Sequence, residues 1–386
     1  MVISVEDARH EARRRVPRWL FDYVDGGAGA EHSLGRNLSA LAGIGFLPSV
    51  LSGAGTADTG TTLFGIAHRF PVALAPVGMA GMLAPGGEIA AAMAAARAGI
   101  SMCVSHFALA SIEDIAAAVD PAGLMFQLYI FRDRAMTRDM VGRAWAAGVR
   151  TLVVTVDTPV TPLRLRDARN GFRSATRLSG RLAGQCLLRP RWLHGTLRRP
   201  DRIIRNLEPY GMGQTLFAQA AAIGRAIDPA IGWDDIAALR DLWKGRLILK
   251  GILRPDDTAR AVSAGLDGVI LSNHGGRQLD GAVSPVETLA ACRDAAGNGL
   301  DICVDGGFRH GTDVVKALAL GAQGVLIGRP WAYGLATGGM SGVGDILTLF
   351  HTGIQTGMIL LGTPDIADLR ARGRDHLHID PAGWPR

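Results

Sequence analysis

The sequence repeats one pattern eight times after about residue 70, where short apolar or β-branched runs alternate with alanine-rich segments of helical composition. This alternation predicts parallel strands that are connected by crossover helices. Eight such units are the number that closes a (β/α)8 barrel, also called a TIM barrel. The predicted fold class is therefore α/β, with strands at residues 72–75, 101–105, 124–128, 151–156, 246–250, 268–272, 301–305 and 324–327.

The 386 residues exceed the usual length of a single domain, yet barrels with insertions reach this length as one unit. The interval between the fourth and fifth strands is far longer than the others, which predicts an insertion there. Ahead of the barrel we expect a helical cap, whose first helix begins with a capping box of Ser4 and Asp7. The expected single domain of residues 1–386 comprises an N-terminal cap (1–70), the barrel (71–365) with its insertion (160–230), and a C-terminal tail (366–386).

Cysteine usage and hydropathy favour a cytoplasmic location. The four cysteines stand far apart without metal-type spacing, which indicates neither a disulfide framework nor a zinc site. The N-terminal segment lacks the long apolar stretch of a signal peptide. Apolar runs such as 71–85 are short and contain proline and glycine, so none is expected to span a bilayer.

The insertion carries much of the positive charge of this chain, whose formal net charge is +6. Between Arg173 and Arg205 there are nine arginines and one acidic residue, Asp201. A mixture of arginines with tryptophan and leucine can lie on an anionic membrane surface, here the inner face of the cell membrane. The alternative is a lid whose arginines face water. Nucleic acid is not an expected partner, because no nucleic-acid motif accompanies the charge. The interleaved apolar residues are Leu187, Leu188, Trp192, Leu193 and Leu197.

Polar residues follow the predicted strands with notable regularity. In (β/α)8 barrels the catalytic groups project from the C-terminal ends of the strands. We therefore expect the polar residues at these ends to meet in one site. They are Ser105, Gln127, Tyr129, Thr155, Asp157, Lys250, Ser272, His274, Arg277, Asp305 and Arg329.

The segment after the sixth strand places a base beside a cation, His274 and Arg277, with two glycines between them. Oxidation of a 2-hydroxy acid needs a base for its proton and a guanidinium for its carboxylate. Asp157, at the end of the fourth strand, is the expected partner that orients His274. Two structural alternatives stay open: a hydrogen-bonded structural histidine, and an aspartate that caps the turn before Pro159.

Lys250 and two loops indicate a phosphorylated cofactor. Loops after the seventh and eighth strands of such barrels commonly bind phosphate, and here they contain Asp305, Gly307, Arg309, Gly328 and Arg329. A buried lysine at the end of the fifth strand needs an anionic partner, which a reduced flavin provides. A Schiff-base lysine is the competing interpretation.

Five segments together resemble the family of FMN-dependent L-2-hydroxy acid oxidases and dehydrogenases, which includes glycolate oxidase, L-lactate dehydrogenase and (S)-mandelate dehydrogenase. The resemblance covers nearly the whole chain. It implies FMN as cofactor and oxidation of an L-2-hydroxy acid to the 2-keto acid. The segments are SNHGGRQLDG (272–281), FQLY (126–129), TVDTP (155–159), LKG (249–251) and DGGFRHGTD (305–313).

The resemblance also implies a role for individual residues. His274 would be the active-site base and Asp157 its partner. Arg277, Arg164 and Tyr23 would bind the substrate carboxylate, and Tyr129 would place a hydroxyl near the reacting carbon. The implied FMN contacts are Pro76, Val77, Gly78, Ser105, Gln127, Thr155, Lys250, Ser272, Asp305, Gly307, Arg309, Gly328 and Arg329.

The electron acceptor and the substrate side chain are less constrained. Gly78 resembles a glycine of the dehydrogenases, and the insertion resembles the membrane-contacting segment of bacterial relatives, so a quinone-type acceptor is expected. Oxygen, or a specialised peptide-derived substrate, is the alternative. His106 and Phe107 stand where relatives often carry a small residue, which leaves the side-chain preference open. Family likeness also implies a homotetramer.

Overall fold

The N-terminal segment combines helices with a short β-hairpin. A computed structural model describes residues 2–172, 179–198 and 203–379. Ser4 is the N-cap of the first helix, and its Oγ accepts the N–H of Asp7 at 3.0 Å, which is one of the two hydrogen bonds of the predicted capping box. The hairpin was not predicted, since a helical cap alone was expected here. The elements are α1 (Val5–Arg15), α2 (Arg18–Asp25), α3 (His32–Ala42), β1 (Ile44–Phe46), β2 (Thr61–Leu63) and β3 (Ile66–His68).

Eight parallel strands form a closed barrel, which confirms the predicted fold class. Their residues are almost all buried, because a barrel strand packs against the barrel interior on one face and the outer helices on the other. The strand ends differ from the predicted ones by no more than two residues. The strands are β4 (Val72–Leu74), β5 (Met102–Ser105), β6 (Leu124–Leu128), β7 (Thr151–Thr155), β8 (Arg246–Ile252), β9 (Gly268–Leu271), β10 (Asp301–Asp305) and β11 (Gly324–Ile327), and β11 closes the barrel on β4.

Helices surround the barrel, and β12 (Leu377–Ile379) returns to pair antiparallel with β1. The longest helix is kinked where Gly338 and Gly339 leave helical geometry. Helices α7 to α10 belong to the insertion. The helices after β4 are α4 (Gly87–Ala98), α5 (Ile112–Ala118), α6 (Arg134–Ala146), α7 (Leu165–Asn170), α8 (Gly180–Leu187), α9 (Pro190–Leu197), α10 (Leu216–Ala226), α11 (Trp233–Leu242), α12 (Pro255–Ser263), α13 (Pro285–Ala296), α14 (Gly311–Ala319), α15 (Arg329–Leu361) and α16 (Ile366–Arg372).

The β2–β3 hairpin closes one end of the barrel. Leu63 and Phe64 at its turn belong to the apolar cluster that fills the barrel interior. The backbone N–H of Phe64 donates to Asp301 Oδ2 at 2.9 Å, at the first residue of β10. A Cβ on Gly268, the first residue of β9, would lie 2.5 Å from the Phe64 ring. The N-terminal ends of the strands are thus sealed, and the cavity for a ligand lies at their C-terminal ends.

The basic insertion presents only part of its apolar residues to solvent. Leu187, Leu188 and Leu197 are 70%, 72% and 64% exposed. Trp192, expected to face the membrane, instead donates its indole N–H to the carbonyl of Met82 at 2.8 Å. Leu193 also packs toward the core.

Some residues of the predicted basic stretch lie outside the described part of the chain: Arg173, Arg177, Arg199, Asp201 and Arg202. Within the described ranges, no helix has the length and apolar character needed to cross a membrane.

Candidate active site

The C-terminal ends of the barrel strands open into a cavity with a volume of about 340 Å³. Small-molecule pockets commonly measure about 300–1,000 Å³. Two predicted site residues, Asp157 and Ser272, do not line the cavity but hydrogen-bond to residues that do. The others line it: Tyr23, Pro76, Val77, Gly78, Ser105, Gln127, Tyr129, Thr155, Arg164, Lys250, His274, Arg277, Asp305, Gly307, Arg309, Gly328 and Arg329.

His274 adopts a left-handed backbone conformation, with φ of +59°, directly after β9. Gly275 and Gly276 follow with φ of +65° and +73°, so the chain turns back at the strand end. Ser272 Oγ accepts the backbone N–H of His274 at 2.9 Å and holds this turn. Left-handed geometry is uncommon for a residue other than glycine and concentrates at functional sites. The turn directs the imidazole into the cavity.

Asp157 orients this imidazole. Its Oδ1 lies 2.9 Å from His274 Nδ1, while His274 Nε2 has no hydrogen-bond partner among the residues that the structure describes. Burial alone would raise the pKa of Asp157, but the charge and hydrogen bond of His274 outweigh it and lower the pKa. Gly251 has a φ of +111°, and a Cβ there would lie 2.6 Å from the Cβ of Asp157. A side chain at position 251 would therefore collide with Asp157, and glycine avoids this collision.

Two arginines and a tyrosine form a cationic wall of the cavity. Arg277 donates to the carbonyl of Gly26 at 2.8 Å, and its guanidinium carbon lies 5.2 Å from the centre of the Tyr23 ring. Burial, together with repulsion from Arg277, lowers the pKa of Arg164 to about 10, and its buried Nε has no partner in the described chain. The Arg164 guanidinium therefore remains charged at neutral pH. A bound carboxylate would offset the repulsion between the two arginines and their burial.

Tyr23 and Tyr129 place phenol groups at the same cavity. Tyr23 donates its hydroxyl to the carbonyl of Gly78 at 3.1 Å. Tyr129 stacks on Phe107 with ring centres 4.8 Å apart, and its backbone N–H donates to His106 Nδ1 at 3.2 Å. Burial raises the pKa of both tyrosines above the ordinary value. Both phenols are therefore neutral hydrogen-bonding groups at physiological pH.

Lys250 is a buried cation with an anionic neighbour. Its Nζ lies 2.8 Å from Asp305 Oδ2 and donates to Ser272 Oγ at 2.7 Å. Burial would lower the pKa of Lys250, but attraction to Asp305 and Asp157 raises it, so the ammonium is charged. This ion pair disfavours a Schiff-base role, which requires a neutral amine.

Several buried polar atoms beside the cavity have no partner within the described ranges. Gln127 Oε1 accepts from Ser105 Oγ at 3.4 Å and from the backbone N–H of His106 at 3.3 Å. The amide nitrogen of Gln127 is therefore left as an unsatisfied donor, and Thr155 Oγ1 and Asp305 Oδ1 are also unsatisfied. Buried polar groups nearly always have a partner in native proteins. A polar ligand in this cavity would supply one.

The loop after β10 brings its backbone close to the cavity. Gly306 and Gly307 have φ of +93° and +91°, and a Cβ on Gly307 would lie 2.2 Å from the carbonyl of Asn37. The amides of Arg309 and His310, the two residues that precede α14, both donate to Asp313 Oδ2 at 2.9 Å. These two amides thus donate to Asp313 and not to a ligand. By contrast, no side chain in the described part of the chain caps α15 at Gly328.

Arg329 makes more structural contacts than the sequence suggests. Its guanidinium donates to the carbonyls of Asp25, Gly26 and Gly275 at 3.2, 2.8 and 2.9 Å. Among the described residues, Arg309 makes a single such bond, from Nη1 to the carbonyl of Phe308 at 2.9 Å. Of these two predicted phosphate ligands, Arg309 is the one with more of its guanidinium available.

Sequence reasoning missed the wall that α10 contributes. Phe217, Ala220, Ala221 and Gly224 line the cavity, and this i, i+3, i+4, i+7 spacing places them on one face of α10. The spacing was visible in the sequence, but nothing in it indicated that this face meets the barrel mouth.

Comparison with known proteins shows the family to which the chain belongs. The sequence profile of a family described as FMN-dependent dehydrogenase matches residues 12–377. The chain belongs to this family. It is similar to L-lactate dehydrogenases of Caulobacter vibrioides and Allorhizobium ampelinum, each 44% identical, over 96% of this chain and 96% and 97% of theirs. FMN is therefore its cofactor, and it is an oxidoreductase.

Solved structures of the family agree in fold. A monotopic membrane protein, (S)-mandelate dehydrogenase, is similar with a TM-score of 0.92 and 37% identity, covering 98% of this chain and all of that one. A mandelate oxidase is similar with a TM-score of 0.82 and 36% identity, over 98% of each chain.

The residues at the barrel mouth fit FMN. The unsatisfied atoms of Gln127 and Thr155 match the polar edge of an isoalloxazine ring, and Lys250 provides a cation beside it. The close backbone of Gly307 and the guanidinium of Arg309 suit a phosphate at the other end of the cavity.

Proposed function

We propose that this dehydrogenase oxidises an L-2-hydroxy acid to the corresponding 2-keto acid. The observation that carries the proposal is one cavity that holds a carboxylate-oriented imidazole, His274 with Asp157, beside two arginines, Arg164 and Arg277. Oxidation of a hydroxy acid requires a base for its proton and cations for its carboxylate. The relatives named L-lactate dehydrogenase and (S)-mandelate dehydrogenase support the same substrate class.

Each side chain has a defined task in this proposal. Arg277, Arg164 and Tyr23 bind the carboxylate and so fix the orientation of the carbon that reacts. His274 Nε2 accepts a proton from the substrate, and Asp157 stabilises the imidazolium that results. FMN, when bound, would take up the two electrons and the second hydrogen that the substrate loses. Tyr129 supplies a neutral hydroxyl to the substrate oxygen.

The proposed electron acceptor is a quinone, reached from the inner face of the cell membrane. The exposed leucines Leu187, Leu188 and Leu197 support a surface that contacts lipid, and a structural relative is described as a monotopic membrane protein. Oxygen is the second candidate, favoured by the likeness to mandelate oxidase. The homotetramer stays a prediction that sedimentation velocity of the purified holoenzyme tests.

One experiment tests the reaction and the acceptor in sequence. The holoenzyme is mixed anaerobically with glycolate, L-lactate and (S)-mandelate, and loss of the oxidised flavin absorbance is followed. We expect bleaching by at least one acid, and then faster recovery of colour with a soluble quinone than with oxygen. Faster recovery with oxygen would make the chain an oxidase.

His274→Gln is the matched variant. It should retain FMN, seen in its absorbance spectrum, while flavin reduction by the same acid is abolished. Fast bleaching of this variant would remove His274 from the mechanism. If no simple acid bleaches the wild-type holoenzyme, the specialised peptide-derived substrate becomes the better interpretation.

A further inference from the structure

The face of α10 that lines the cavity is apolar and largely uncovered. Phe217, Ala220, Ala221 and Gly224 form this face, with the half-buried Ile223 beside them; Ala220, Ala221 and Gly224 are exposed. An apolar helix face normally packs against protein. Here it faces the cavity that the predicted site residues also line, so an apolar ligand group would complete its packing.

Helix α10 is held in place at both ends. Near its start the buried amide of Gln219 accepts the backbone N–H of Ile204 at 2.6 Å and donates to the Ile204 carbonyl at 3.2 Å. At its end the carbonyl of Ala226 accepts the backbone N–H of Arg132 at 2.8 Å, from the loop after β6. The helix is a fixed wall, so its side chains set the size of the space in front of it.

Aromatic rings border the same space. Phe107 stacks on Tyr129 with ring centres 4.8 Å apart. Phe217 meets Phe172 edge to face at 6.1 Å, and Phe172 in turn stacks on Trp19 at 5.0 Å. Aromatic pairs prefer stacked or edge-to-face contacts, so rings arranged in this way can accept a further ring between them.

The cations and the apolar wall of the cavity come from different elements. The cations proposed to bind the carboxylate, Arg164 and Arg277, come from the start of α7 and from the loop after β9. The cavity-lining residues of α10 are all apolar. A substrate bound with its carboxylate on the arginines can therefore direct its C2 substituent at α10.

Small residues on α10 leave room for that substituent. A Cβ on Gly224 would have one neighbour within 4 Å, Thr161 Oγ1 at 4.0 Å. Ala220 and Ala221 add only methyl groups to the wall. A hydrogen or methyl at C2, as in glycolate or lactate, would leave the apolar face uncovered.

We propose that the preferred substrate is an L-2-hydroxy acid with an aromatic side chain, which packs between the α10 face and the rings of Phe107 and Phe172. The proposal rests on the proposed function, since it assigns the C2 substituent of the same substrate. Apolar pockets discriminate by about tenfold or more per added methylene, so a ring should be strongly favoured over a methyl group.

The first test is a substrate series with the holoenzyme: glycolate, L-lactate, (S)-mandelate and L-3-phenyllactate. We expect kcat/KM for an aromatic acid to exceed that for L-lactate at least tenfold. Bleaching by L-lactate with equal or higher efficiency would refute the aromatic preference and leave the oxidation of hydroxy acids standing. Absence of bleaching by all four acids would instead refute the proposed function.

The second test fills the space in front of α10. Gly224→Leu should lower kcat/KM for the aromatic acid at least tenfold and leave that for L-lactate within about threefold, because only the larger substituent meets the new side chain. Ala222→Leu, on the same helix but outside the cavity lining, is the matched control and should change neither. An equal loss for both acids in Gly224→Leu would contradict the assignment.

A binding measurement separates specificity from turnover. The keto acid products phenylglyoxylate and pyruvate are added to the holoenzyme, and the rise in its melting temperature is recorded. Wild type should be stabilised more by phenylglyoxylate, and Gly224→Leu should lose this difference. Equal stabilisation of wild type by the two keto acids would overturn the proposal.

Discussion

Replacement of Asp157 by asparagine removes one charge from the site and preserves its shape. The amide oxygen of the new side chain could still accept the hydrogen bond of His274 Nδ1, which lies 2.9 Å from Asp157 Oδ1. The imidazolium that forms after proton transfer would lose its anionic partner. We therefore expect Asp157→Asn to bind FMN and the hydroxy acid but to reduce the flavin slowly.

The size of the effect follows from the geometry. The charges of imidazolium and carboxylate are separated by about 4 Å, which corresponds to about 4 kcal/mol at an effective dielectric constant near 20. The hydrogen bond that asparagine retains contributes about 1 kcal/mol. The remaining loss of about 3 kcal/mol corresponds to a decrease on the order of 10²-fold in the rate of flavin reduction.

Stopped-flow absorbance under anaerobic conditions measures this rate in a single turnover. Asp280→Asn is the matched control, because Asp280 accepts the backbone N–H groups of Ala30 and Ser33 and does not contact His274. The control should reduce its flavin at nearly the wild-type rate. A rate for Asp157→Asn within a few fold of wild type would show that the charge of Asp157 does not stabilise the transition state.

Two further predictions concern pH and membrane contact. Burial lowers the pKa of His68 to about 4 and that of His106 to about 3. Between its folded pKa and about pH 6.5, each of these histidines is protonated in the unfolded chain but neutral in the folded chain. As the pH falls through this range, each one therefore lowers the free energy of unfolding by about 1.4 kcal/mol per pH unit. Urea unfolding across this range should show a steep loss of stability toward acid, and His106→Phe should reduce the slope; an unchanged slope would contradict the assignment. Replacing Leu187 and Leu188 by serine should weaken sedimentation with anionic phospholipid vesicles at least about tenfold, since burial of each leucine contributes about 1.5–3 kcal/mol. Leu360→Ser, on an equally exposed leucine of α15, should not, and equal binding by all three proteins would count against a lipid contact there.

The barrel was predictable because its strands are short, almost wholly buried apolar runs that differ in composition from the helices between them. The β2–β3 hairpin was not, since strands of three residues are too short to show alternation. Its turn at Phe64 and Gly65, both with positive φ, nevertheless closes the barrel.

The polar site residues could be placed at one cavity because parallel strands in a barrel end on the same side. The direction of side chains in the insertion could not be predicted. Trp192 and Leu188 lie four residues apart in a basic segment, yet the first packs against Met82 and the second faces solvent. Only tertiary contacts distinguish these two side chains, because the local sequence does not determine which helix face packs against the barrel.

The bonds from Arg277 and Arg329 to the carbonyls of Asp25 and Gly26 join the N-terminal helices to late parts of the chain. The N-terminal helices emerge first from a ribosome, whereas Arg277 and Arg329 emerge late in translation. We therefore expect Tyr23 to reach its position at the cavity only after most of the chain has been synthesised. A nascent polypeptide that lacks the last barrel strand has no complete pocket, and truncated translation products should be inactive.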